Sequence, residues 1–66
     1  MNLTVNGQRK NFSAPLNVEQ LLTFLKLKHD QVVVELNREI LIADKYVDIQ
    51  LNDDDTLEVI QFVGGG

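Results

Sequence analysis

Asn17-Val18-Glu19-Gln20-Leu21-Leu22-Thr23-Phe24-Leu25 is the one stretch of this 66-residue chain with a helical pattern, and its isolation decides the fold. Asn17 suits an N-cap, because its side-chain oxygen can accept a bond from the orphan amides of the first turn. Gln20, three residues on, stands at the reciprocal capping-box position. Val18, Leu21, Leu22 and Leu25 follow the i, i+3, i+4, i+7 spacing that puts them on one face. Lys26, Lys28 and His29 fall in its expected last turn, where cations suit the negative end of the helix dipole. The pattern predicts one amphipathic helix of about three turns.

Everything around it reads as sheet. Leu3-Thr4-Val5 alternates apolar and polar, and Asn6-Gly7 is a hairpin signal because both residues accept positive φ. The returning strand falls near Gln8 to Phe12, and Ser13-Ala14-Pro15-Leu16 breaks the pattern. Val32-Val33-Val34-Glu35-Leu36 is β-branched and reads as a largely buried strand. Asn37-Arg38-Glu39 is a turn and Ile40-Leu41-Ile42 a short strand. Asp44 to Gln50 has no clear period, with Asp44 placed to cap a single helical turn holding Tyr46 and Val47. Asn52-Asp53-Asp54-Asp55 is a polar turn. Thr56 to Val63 is the last strand, and Gly64-Gly65-Gly66 follow it. The reading is one domain over residues 1–63 with a glycine tail over 64–66. One helix covers only one face of a sheet, so the other face is expected to be at least partly wet. The class is α+β, a sheet of four to five strands with one main helix packed on one face.

Composition narrows the function. A chain this short buries about 60% of its unfolded surface, so its core is limited. It has no cysteine, hence no disulfide, thiolate metal site or cysteine nucleophile. The formal net charge of −4 argues against nucleic acid, which favours a basic face, and permits steering toward a basic partner. No apolar stretch is long enough to span a bilayer and no signal peptide is visible, so no membrane partner and cytoplasmic residence are expected.

Three features invite chemistry. The glycines read either as a frayed end or as a tail that something must grip closely, presenting a carboxylate through a narrow channel; fully extended they reach about 10 Å. In the last strand, if Leu57 and Val59 face the helix, alternation sends Glu58, Ile60 and Phe62 to the uncovered face. Ile60 and Phe62 then form a docking patch, unless the Asp44–Gln50 segment covers them. The run Asp53-Asp54-Asp55 lacks the ligand spacing of a calcium loop and reads as a solvated turn. His29 has no Ser or Cys motif in company, and no metal site or catalytic set is seen. The chain is not expected to be an enzyme.

Leu3-Thr4-Val5-Asn6-Gly7, Val34-Glu35-Leu36-Asn37-Arg38-Glu39-Ile40 and Leu57-Glu58-Val59-Ile60-Gln61-Phe62-Val63-Gly64-Gly65-Gly66, in that order, resemble the ThiS sulfur-carrier family of thiamine biosynthesis. The resemblance covers the whole chain. Asp54 stands where that family often has glycine, and Ala43-Asp44 where it often has Pro-Arg. The resemblance implies a ubiquitin-like β-grasp fold with no bound cofactor. It also implies that an E1-like adenylyltransferase of the ThiF type uses ATP to adenylate the Gly66 carboxylate. Sulfur from a cysteine desulfurase then makes a thiocarboxylate, which a thiazole synthase of the ThiG type consumes. Gly64 and Gly65 would be sheathed by these partners. The alternatives are a molybdopterin-synthase small subunit, another ubiquitin-like sulfur carrier, or a ubiquitin-like interaction module.

Overall fold

The computed structural model describes residues 1–13 and 15–62. The glycine tail and the expected boundary at 63/64 lie outside the described residues. β1 (Asn2–Val5) and β2 (Gln8–Asn11) form a hairpin closed by Asn6 and Gly7, with φ of 51° and 79°. Helix α1 spans Val18–Phe24. β3 (Val32–Leu36) and β4 (Glu39–Ile40) form a second hairpin, and β5 runs Thr56–Gln61. The sheet order is β2-β1-β5-β3-β4, with β1 and β5 parallel and the other neighbours antiparallel. The last strand in sequence is therefore the central one in space. The parallel neighbour needs a long crossover, and residues 6–55, which include the helix, supply it.

The helix begins as its sequence predicts. The Asn17 side chain accepts from the Gln20 N–H at 2.7 Å, and the Gln20 side chain accepts from the Asn17 N–H at 2.9 Å. It ends earlier than expected. Lys26 turns left-handed, with φ of 62°. Its N–H donates to the Thr23 carbonyl at 3.0 Å, and the Leu27 N–H donates to the Leu22 carbonyl at 2.9 Å. Those two bonds are a Schellman stop, ordinarily built on glycine. The helix thus has two turns and no basic residue in its last turn. Lys28 caps a short 3₁₀ segment, His29–Gln31, that leads into β3.

Val18, Leu21 and Leu22 press on the inner sheet face, against Leu3, Val5, Val34, Leu57 and Val59, all buried. Each such side chain contributes roughly 1.5–3 kcal/mol when fully removed from water. The segment without a period resolves into a 3₁₀ helix over Ala43–Asp48. Asp44 does not cap it, since Ile42 holds that place without a side-chain bond. Tyr46 is 2% exposed and plugs the core, while Val47 points outward. Burial pushes the Tyr46 phenol above its ordinary value; a hydrogen bond involving Val34 opposes the shift and the Glu19 charge adds to it. Backbone bonds from Val18 N–H to the Ile49 carbonyl and from Leu51 N–H to the Leu16 carbonyl tie this segment to the start of the helix.

The acidic turn is built rather than merely solvated. Asp53 accepts from the Asn2 N–H, Asp54 pairs with Arg9, and Asp55 accepts from the Asn52 N–H and the Asn37 side chain. Asp54 adopts φ of 70°, the left-handed geometry that glycine would take there at no cost.

Candidate functional site

β5 places its side chains alternately. Leu57 and Val59 enter the core, and Glu58, Ile60 and Phe62 stand on the opposite face. Ile60 is 59% exposed and Phe62 46% exposed, so the Asp44–Gln50 segment does not cover them. That segment lies against the helix side, where Tyr46 is needed.

Register shows what surrounds the pair. Val33 of β3 is opposite Ile60, and Glu35 is opposite both Glu58 and, across the second hairpin, Ile40. Val33, Ile60 and Phe62 therefore form an apolar strip on the uncovered face, and Glu35, Glu58 and Ile40 continue it toward the β3–β4 turn. Val33 is 38% exposed, so β3 is less buried than the largely buried strand its β-branched run suggested. The run is apolar because half of it faces the core and half forms this strip. Sequence reasoning missed Val33, Glu35 and Ile40; only the pairing register sets Val33 beside Ile60, Glu35 beside Glu58 and Ile40 beside Glu35.

A shallow hollow of about 410 Å³ lies at the acidic end of this face, lined by Glu35, Asn37, Arg38, Thr56 and Glu58. Its shallow, charged lining suits docking of a partner surface. Among the described residues no three His, Asp or Glu side chains converge to hold a metal ion. His29, expected at the end of the main helix, instead opens the 3₁₀ segment and lies 3.5 Å from Glu19 at the surface. No helix of the described residues is long and apolar enough to cross a membrane. Ile60, near the C-terminal end of β5, and Phe62, the residue just past that strand, are thus brought close in the chain. Gly64, Gly65 and Gly66, the other expected site residues, lie outside the described residues.

Comparison with known proteins supplies the context. The model of the ThiS family matches residues 3–66. A crystal structure of the thiamine biosynthesis protein ThiS from Geobacter metallireducens superposes with a TM-score of 0.85 at 40% identity, over the whole of both chains. The sulfur carrier protein ThiS of Bacillus subtilis is 39% identical over 49 residues, 74% of each chain. A thiazole synthase from Paramagnetospirillum magneticum is 44% identical over all 66 residues, which make up only 20% of that protein. The chain therefore spans about a fifth of the length of that relative.

Proposed function

This chain belongs to the ThiS family of sulfur carriers in thiamine biosynthesis, and from that premise we propose that its sulfur travels as a thiocarboxylate on Gly66. The observation that carries the reading is the layout of β5. Ile60 near the end of β5 and Phe62 just past it are bare on the helix-free face, and Val63 and three glycines follow them in the sequence.

In this reading the face docks and the tail reacts. A partner adenylyltransferase joins the Gly66 carboxylate to the AMP part of ATP, releasing pyrophosphate. The outer sulfur of a persulfide, supplied by a cysteine desulfurase, then attacks the acyl carbon and AMP leaves. A thiol provides the two electrons that cleave the resulting S–S bond, and the thiocarboxylate remains on Gly66. Docking makes the tail's approach effectively intramolecular, which raises its local concentration at the enzyme. Glycine at 64 to 66 lets the backbone pass a narrow channel and leaves the acyl carbon open to attack. The carrier contributes position, and the partners contribute the acid–base chemistry.

A thiazole synthase is the acceptor we favour over a molybdopterin synthase. The support is that a protein named thiazole synthase contains a segment 44% identical to this chain over its full length. Such covalent linkage keeps two functions at high effective concentration.

Mass spectrometry tests the carrier step. Incubated with the adenylyltransferase, ATP and a persulfide source, the chain should gain the mass of one oxygen-to-sulfur exchange, while Gly66→Leu stays folded and gains nothing. The same gain in Gly66→Leu overturns the assignment to this carboxylate.

A further inference from the structure

β5 runs past the end of β1. The last pair of their parallel ladder is Val5 with Leu57, after which the chain turns at Asn6-Gly7. The Asn6 backbone N–H still donates to the Leu57 carbonyl at 2.9 Å. Val59 is the next β5 residue whose backbone polar groups face that way, because these groups alternate along a strand. No backbone of β1 remains to meet them.

The side chain of Asn6 takes that place. Its Oδ1 accepts from the Val59 N–H at 2.7 Å, and its Nδ2 donates to the Val59 carbonyl at 3.1 Å. One carboxamide supplies the donor and acceptor that another strand residue would have supplied. Val59 is buried, so leaving its N–H and C=O unpaired would carry a desolvation penalty. On the other side, β3 continues to hold β5: Gln61 stands opposite Val32, and the Phe62 N–H donates to the Gln31 carbonyl at 3.1 Å. Val59 is thus the last β5 residue gripped from the β1 side, and Ile60 to Phe62 are aligned on a strand fixed at that point.

We infer that Asn6 is a positioning residue for sulfur-carrier chemistry: its carboxamide clamps β5 at Val59, on the strand that precedes the reacting Gly66 in sequence, and loosening that clamp slows the reaction. The inference rests on the carrier reading above. Among the described residues the Asn6 side chain hydrogen-bonds to Val59, and it acts through that contact. Asparagine suits both demands of the position, since it tolerates a φ of 51° and carries a donor and an acceptor on one planar group.

Two variants isolate the carboxamide. Asn6→Gly keeps the left-handed turn and removes both bonds. Asn6→Asp keeps the turn and one acceptor, but turns a second oxygen toward the Val59 carbonyl. Each is studied at a temperature where circular dichroism shows it folded. The readouts are amide hydrogen exchange at Val59 and Phe62, and steady-state pyrophosphate release with ATP and a ThiF-type adenylyltransferase. Exchange should quicken at both amides in both variants. The value of kcat should fall about tenfold while KM stays within about twofold, because misplacing a reacting group by 1 Å costs on the order of a hundredfold and the docking residues are retained. A lower melting temperature with kcat and KM unchanged would make Asn6 structural only and overturn the inference. Unchanged exchange at Phe62, or a rise in KM alone, overturns it too. Failure of the unmodified chain to be adenylated is a separate result: it removes the carrier reading and this inference with it.

Discussion

Glu35 and Glu58 stand directly opposite each other on β3 and β5, on the sheet face that the helix leaves bare. Like charges so placed destabilise an antiparallel pair. Among the described residues no ion pair relieves them: Arg9 pairs with Asp54, and His29 lies beside Glu19. Arg38 lines the same hollow without pairing to either glutamate. The fold thus keeps an unfavourable pair beside its apolar strip, an arrangement suited to a partner that brings a cation.

Glu58→Gln should therefore separate stability from binding. Removing one charge of the pair should raise stability by a few tenths of a kcal/mol, up to about 1, and urea melts would show it as a higher midpoint with an unchanged slope. Association with the adenylyltransferase should slow and lose salt dependence, as expected when a steering charge is removed. Stopped-flow association at two ionic strengths checks this. Faster association would mean that the partner surface there is acidic.

Phe62→Asp should weaken partner binding far more than it lowers the melting temperature. Phe62 is nearly half exposed and its backbone bond to Gln31 does not need the ring. Apolar anchors in a docking patch typically cost 2 kcal/mol or more when lost, roughly thirtyfold or more in affinity. Calorimetric titration against the adenylyltransferase gives the affinity, and thermal unfolding gives the stability. A collapse of the melting temperature would place Phe62 in the core and sink the docking argument.

Much of this was legible in the sequence because local signals agreed with the global fold. Asn6-Gly7, the Asn17–Gln20 capping box and the alternation of Leu57 to Phe62 each specify their geometry within a few residues. The helix length was not legible, because the stop is built on Lys26, a residue with no sequence preference for left-handed backbone. The Ala43–Asp48 turn was equally hidden: it is held by tertiary contacts, with Tyr46 in the core and the following residues paired to 16–18. At the site, alternation revealed Ile60 and Phe62. Val33, Glu35 and Ile40 required the register, which depends on β5 lying between β1 and β3 and cannot be read from any one segment.

Tyr46 should make stability fall at high pH. Its phenol ionises later in the fold than the ordinary value near 10, because burial disfavours the phenolate. Above that value the unfolded chain releases the proton first, which favours unfolding. The contribution is therefore complete below about pH 10 and is lost as pH rises through the folded value. Urea melts of the unmodified chain and Tyr46→Phe at pH 8, 10 and 11 (values bracketing the ordinary tyrosine range) should diverge only at the upper end. Parallel curves for the two proteins would show that the phenol plays no part.

Lys26→Gly should stabilise the fold. Lys26 sits at φ 62° in the Schellman stop of α1, and a left-handed conformation costs a residue with a Cβ roughly 1–2 kcal/mol. Glycine removes that cost but gives back part of it through the greater freedom of the unfolded chain, about 0.5–1 kcal/mol. The net expectation is a gain of about 0.5–1 kcal/mol, or several degrees in melting temperature for a domain of this size. Lys26 is exposed and makes no ion pair among the described residues, so no side-chain interaction offsets the gain. Lys26→Ala is the control, because it removes the side chain and keeps the Cβ in the same strained position. It should show no gain. Equal stabilisation by alanine and glycine would mean that the lysine charge, not the backbone, is what the position penalises.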